Sequence, residues 1–274
     1  MKVIAFGSCM SNLTIAHLKA YGFDQVHSVH HNRSDNFVRY FIDASAEMLP
    51  KDRLFSMLHV KPDLETEARK ILLNQYKDTL GYHDLLDLKK SDGDNFFNTI
   101  ENDRIDVILM DNYMDLAAKL LCWTGEAKYA DSPLFLNIGF YLNEAELASQ
   151  FAYGSFLTPQ ESAHYQFRIY TWLRERQPAA KIFFLPFHFC TSTKNPLRYF
   201  NARGFYKEFS VLTAREDIHV CPPMTLPPQY TTGEEDWPHY QMDVYRALAG
   251  YVYLHTIGDW PNPGQPYLMP APVI

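Results

Sequence analysis

The first twenty residues limit most sharply what this chain can become. Val3, Ile4, Ala5 and Phe6 form an unbroken apolar run, the pattern of a strand covered on both faces rather than one with a wet side. Gly7 stops the run. Ser8, Cys9, Met10 and Ser11 follow, and Leu13, Ile15, Ala16, Leu18 and Ala20 then recur with helical spacing. Ser11 or Asn12 is the expected N-cap, since either side chain can accept from free first-turn amides. Strand, Gly turn and helix start together set small polar side chains at the carboxyl edge of a parallel sheet, where open α/β folds bind ligands. An ordinary strand–helix turn holding a buried thiol would show the same local pattern.

Strand and helix signals continue to alternate. Residues 26–30, 105–110, 181–186 and 218–221 read as further strands, and with 3–6 they are expected to form one parallel sheet. Helical patterns follow at Met114 to Trp123, at Pro159 to Arg176, over roughly 198–214 and from Tyr240 to Tyr253. The expected architecture is α/β: a three-layer α/β/α sandwich with a doubly wound, five-stranded parallel sheet. Residues of about 45–100 and 124–158 read as helical or aromatic insertions. The five prolines after residue 260 predict an extended tail from about 256. No repeat or low-complexity linker divides the 274 residues, so one domain spanning 1–274 is expected.

Composition narrows the function classes. A net charge of −7 argues against a nucleic-acid partner, for which a basic stripe would be needed. No run approaches the roughly 18 apolar residues of a membrane span. Lys2 and four apolar residues before Gly7 do not make an export signal. Cys9, Cys122, Cys190 and Cys221 therefore read as reduced thiols of a cytoplasmic protein, and no two have metal-motif spacing. His27, His30 and His31 lack a carboxylate pattern that would make them a metal site, and none is expected.

Three short blocks carry chemistry. Gly7-Ser8-Cys9-Met10-Ser11 follows the first strand, Asp111-Asn112 ends the central one, and Asp236-Trp237-Pro238-His239 precedes the last helix. Right-handed crossovers bring all three to one sheet edge. In this order the blocks resemble those of the SGNH (GDSL-like) hydrolase superfamily, over nearly the whole chain. Aligning glycine with glycine puts Cys9 on the nucleophile position and Ser8 on that of the family's aspartate. A Gly-Ser-Cys turn is similar to the branch associated with capsule and surface-polysaccharide acetyltransferases, which implies acyl-CoA as co-substrate and a carbohydrate acceptor.

Residue roles follow as expectations. A thiol at a helix N-terminus beside a histidine has a lowered pKa and is nucleophilic at neutral pH; Ser8 is the alternative nucleophile. His239 would be the general base, with Asp236 holding its ring or instead capping the helix. Asn112 would donate to an oxyanion with the backbone amide of Cys9 or Met10, or serve only as a turn residue. No Gly occurs between Gly22 and Gly81, so the family's second oxyanion donor is missing or replaced by Ser34 or Asn36, which counts against efficient ester hydrolysis. Asn36, Tyr113 and His188 are expected to line the substrate pocket. Arg33, Lys194, Arg198 and Arg203 are candidate phosphate contacts. The leading expectation is acyl transfer from acyl-CoA to a sugar or polysaccharide precursor. A carboxylester or thioester hydrolase on the same site and a non-catalytic glycan-binding module are the alternatives.

Overall fold

A computed structural model describes residues 1–81, 95–130, 132–190, 196–232 and 239–258. In chain order, β1 (Lys2–Gly7), α1 (Cys9–Leu18), β2 (Asp24–His30) and the short α2 (Ser34–Phe37) lead to α3 (Lys51–Met57), α4 (Glu65–Leu73) and α5 (Phe96–Asn102). Next come β3 (Val107–Asp111), α6 (Tyr113–Ala117), β4 (Leu121–Trp123), β5 (Pro133–Leu134), α7 (Glu144–Gln150) and β6 (Phe151–Tyr153). The chain continues through α8 (Pro159–Arg176), β7 (Lys181–Leu185), β8 (Phe189–Cys190), α9 (Pro196–Leu212), β9 (His219–Val220), β10 (Thr225–Leu226) and α10 (Met242–Ile257).

Five strands form one sheet in the order β2-β1-β3-β7-β9, and every pairing in it is parallel. Successive residues of each inner strand enter different cores. Ile4, Phe6, Ile108, Met110, Ile182 and Phe184 pack on one face with α5, α8 and α9. Val3, Ala5, Val107, Leu109, Phe183 and Leu185 pack on the other with α1 and α10. This two-sided burial explains why the strands are unbroken apolar runs. Each of these side chains except the small Ala5 contributes about 1.5–3 kcal/mol when fully buried, and a one-residue slip would send all of them to the wrong face. The doubly wound three-layer sandwich is thus the fold.

Capping fixes where the helices begin. α8 starts at Pro159 behind a capping box in which Thr158 and Glu161 satisfy each other's backbone amides,. α1 starts earlier than the sequence suggested: Ser8, not Ser11 or Asn12, is its N-cap, accepting from the Met10 amide at 3.1 Å. The helix expected from Met114 to Trp123 stops at Ala117, and Leu121–Trp123 is strand β4 instead. Leu121 and Trp123 are buried while Cys122 between them is half-buried, a period of two that three residues are too few to announce.

β4 pairs antiparallel with β5 and β6 and belongs to a third, separate core. That core joins Leu49, Leu54, Leu58, Ala68, Leu72 and Tyr76 to Leu121, Trp123, Leu134, Tyr141, Leu147 and Phe151. The two inserted stretches therefore pack together as a lobe beside the sandwich. The tail expected after α10 lies outside the described residues from 259 onward.

Candidate active site

The strand order reverses between β1 and β3, and the carboxyl edge at such a switch is where doubly wound sheets bind ligands. Phe6 pairs with Met110, which sets Gly7 beside Asp111. The Asp111 carboxylate reaches across to accept from the Ser8 amide at 2.7 Å and the Ser11 amide at 3.1 Å, and its other oxygen accepts from the Tyr113 amide at 3.1 Å. A β-carbon on residue 7 would overlap that carboxylate, so the glycine is required by close approach. Burial pushes the Asp111 carboxyl above the ordinary carboxylate value, while the Ser8, Ser11 and Tyr113 donors pull it back,. The effect is a rigid turn with its first helical amides held from below.

That turn presents Cys9 as the first residue of α1, half-buried, between the buried Ser8 and Met10. Its Sγ lies 3.7 Å from Nε2 of His30. His30 ends β2, paired with Gly7, and its ring is edge-on to that of His31, with centroids 3.7 Å apart. On the opposite side of the ring, Nδ1 of His30 lies 2.8 Å from the Asn12 amide nitrogen. Thiol, helix N-terminus and imidazole are the grouping that makes a cysteine nucleophilic.

Asn112 follows β3 at the same edge. Its Oδ1 accepts from the Phe187 amide at 2.9 Å, which determines that the other end of the amide is the nitrogen. That Nδ2 is buried and has no hydrogen-bond partner among the described residues. An unanswered buried donor costs about 1–3 kcal/mol, so this one marks a place where an acceptor oxygen would be welcome.

Tyr240, the residue after the third block, reaches the same edge. Tyr240 is fully buried, with its hydroxyl 3.4 Å from Met10 Sδ and 2.6 Å from His188 Nδ1. His239, one residue earlier, is half-buried, and its carbonyl accepts from the Thr232 amide at 3.0 Å. Asp236 lies outside the described residues.

No family model matches the sequence, and no curated protein matches it. Solved structures do. A family two carbohydrate esterase from Clostridium thermocellum, solved with cellohexaose, overlaps with a TM-score of 0.47 at 10% identity, over 93% of this chain and 62% of that one. A carbohydrate esterase family 2 enzyme with a carbohydrate-binding domain from Corynascus thermopiles overlaps with a TM-score of 0.45 at 10% identity, over 93% and 65%. A GDSL-like lipase from Parabacteroides merdae overlaps with a TM-score of 0.42 at 9% identity, over 93% and 94%. This chain thus spans less than two thirds of the two esterase chains. At these scores the overlaps carry nothing about chemistry.

Several expected donors are engaged elsewhere. The Met10 amide donates to Ser8 Oγ, which makes Ser8 a cap and removes Met10 from the oxyanion role. Ser34 gives both its amide and its hydroxyl to Asp115, at 2.9 and 2.8 Å, so it is not an oxyanion donor either. Asp115 is fully buried and also accepts from Ser162 and Gln166; burial pushes its carboxyl up while these donors and Ser34 oppose the shift. Asn36 donates to the Pro133 carbonyl at 3.0 Å, tying it to the lobe. Arg33 is closed off from phosphate: it grips Asp35 with two nitrogens and gives a third to the carbonyls of Ala118 and Ser155. Lys194 lies outside the described residues, and Arg198 and Arg203 sit on α9. Tyr113 is half-buried with its ring 5.1 Å from Phe187, and His188 is buried behind Tyr240. Among the described residues, no group of three or more His, Cys, Asp or Glu side chains is placed to hold a metal ion.

His30 is the site residue that sequence reasoning missed. In the sequence it reads only as one of three neighbouring histidines without a metal pattern. The signal lay in the register: β1 and β2 are adjacent parallel strands ending level at Gly7 and His30, so the residue closing β2 must stand beside the turn after β1.

Proposed function

We propose that this chain is an acyltransferase working through a thioester on Cys9, with acyl-CoA as donor and a sugar hydroxyl as acceptor. One observation carries the reading: a half-buried thiol at the first position of α1, 3.7 Å from an imidazole, at the switch point of the sheet. Donor and acceptor classes follow from the likeness of the Gly-Ser-Cys turn to the acetyltransferase branch.

The steps balance without a further reactant. The Cys9 thiolate attacks the carbonyl carbon of the donor thioester, forming a new carbon–sulfur bond as the π electrons move to oxygen. Asn112 Nδ2 would meet that oxyanion, a contact typically worth 10²–10³ in rate. Collapse expels the CoA sulfur as a thiolate, which takes a proton from solvent, where the proton of Cys9 had gone. One thioester replaces another, so this half is close to thermoneutral. The acceptor hydroxyl then attacks the Cys9 thioester, passes its proton to His239 and releases the ester and the Cys9 thiolate. Water in the acceptor's place would make the same site a hydrolase.

The test is mass spectrometry after incubation with acetyl-CoA. One acetyl group is expected on the Cys9 peptide, removable by hydroxylamine and absent from Cys9→Ala. Acetyl-CoA turnover that survives in Cys9→Ala would refute the covalent route. Absence of label and turnover with every acceptor tried would favour a binding module.

A further inference from the structure

We propose that Asn12 fixes His30 as its Nε2–H tautomer, so that His30 serves Cys9 as a hydrogen-bond donor and not as the base that takes its proton. The proposal rests on the reading of Cys9 as the nucleophile, and it departs from the usual expectation that the imidazole nearest a catalytic thiol deprotonates it.

The geometry of Asn12 decides the tautomer. Its Nδ2 lies 3.2 Å from the Ser8 carbonyl oxygen and 2.8 Å from His30 Nδ1. A carbonyl can only accept, so the end of the amide facing Ser8 must be the nitrogen. Its Oδ1 on the other side accepts from the Ser28 hydroxyl at 2.5 Å and from Gln25 Nε2 at 3.3 Å. Turning the amide over would set two oxygens against each other at Ser8. Asn12 is buried and held on both sides, so Nδ1 of His30 faces a donor and must offer its lone pair. The single proton of the neutral ring then sits on Nε2, the nitrogen beside Cys9.

Such a ring cannot accept the thiol's proton without first losing the one on Nε2. It can donate to a thiolate, stabilising the anion together with the helix N-terminus. The nearby ionisable groups that the structure describes have contacts of their own. His31 meets the ring edge-on, Asp111 on β3 is engaged by the amides of Ser8 and Ser11, and Arg33 and Asp35 beyond the strand are paired with each other. The base for the acceptor hydroxyl must then be another group, the role proposed above for His239.

Two measurements test this. In histidine-labelled protein, long-range ¹H–¹⁵N spectra at pH 7 should show His30 protonated on Nε2 and bare on Nδ1; a proton on Nδ1 would overturn the proposal. Alkylation of Cys9 by iodoacetamide at pH 7 separates donor from base. His30→Gln supplies an amide donor near the position of Nε2 but no base, and it should react within about fivefold of wild type. His30→Leu should react tenfold or more slowly, because the thiolate loses its donor. Gln behaving as badly as Leu, in folded protein, would show that His30 acts as a base. Asn12→Asp puts an acceptor opposite Nδ1 and should yield a doubly protonated ring at pH 7 in the same spectra. If Cys9 is never acylated while these results hold, the acyl-transfer reading falls and the tautomer assignment stands. If Cys9 is acylated but Gln and Leu are equally slow, this inference alone is wrong.

Discussion

The hydroxyl of Tyr240 stands 3.4 Å from the sulfur of Met10, which joins the lead-in to α10 to the first turn of α1. Each residue is the immediate neighbour of a proposed catalytic group, His239 in one case and Cys9 in the other. The contact is buried, so the lead-in to α10 is held against α1 by packing on both sides. Two residues 230 positions apart thus meet at one sheet edge.

Ser8 and Cys9 are separable by substitution. Ser8→Ala removes the acceptor of the Met10 amide, and should lower stability by about 1 kcal/mol as lost N-caps do. Acylation of Cys9 should persist in it at a similar rate. Chemical denaturation read beside acetyl labelling checks both; a Ser8→Ala protein that folds but cannot be labelled would shift the nucleophile to the serine.

Asn112→Asp keeps an oxygen to accept from the Phe187 amide but replaces the buried donor with a carboxyl group next to Asp111. Acylation should slow by at least the roughly 10²–10³-fold of a lost oxyanion donor, and the melting temperature should fall because a carboxyl group is costly to bury. A rate within threefold of wild type would exclude Asn112 from the oxyanion contact.

Gly7→Ala tests the close approach of β1 and β3. The added methyl group must push the Asp111 carboxylate off the amides of Ser8 and Ser11. Losing those bonds and straining the strand should cost about 2–4 kcal/mol and make Cys9 labelling heterogeneous. A melting temperature equal to wild type would show that the turn can relax.

Acid should weaken this protein through His188. Burial lowers its pKa to about 4 from 6.5. Between those values the unfolded chain binds a proton that the folded chain refuses, so stability falls as pH drops through that window and levels off below it. The full span is about 3 kcal/mol. His219 and His255 are also lowered by burial and act with the same sign, whereas the raised carboxyls of Asp111 and Asp115 act oppositely. Urea titrations of wild type and His188→Asn from pH 7 to 4 cancel these common contributions. The variant should lose less stability than wild type over that range, and parallel curves would contradict the assignment.

The sheet was legible because strands buried on two faces leave a dense record: Val3 to Phe6 and Lys181 to Leu185 could hardly be anything else. α8 was legible for a different reason, since Thr158, Pro159 and Glu161 state its start locally. What stayed hidden depends on partners far away in sequence. Ser34 looks like a spare donor until Asp115 is beside it, Arg33 looks like a phosphate ligand until Asp35 and two carbonyls enclose it, and β4 is too short to show its period. His30 became a site residue only through its register with Gly7.

The lobe's core has a consequence for how the chain is made. Its two halves, Leu49 to Tyr76 and Leu121 to Phe151, flank β3, the central strand of the other body. On a ribosome the first half emerges with its apolar side chains unmatched, and must wait for β3 and β4 to be synthesised before it can bury them. Contacts of such long sequence separation form slowly. This lobe should therefore be the last part to gain protection from hydrogen exchange during refolding, and the stretch from Leu49 to Tyr76 the one most exposed to chaperones until then.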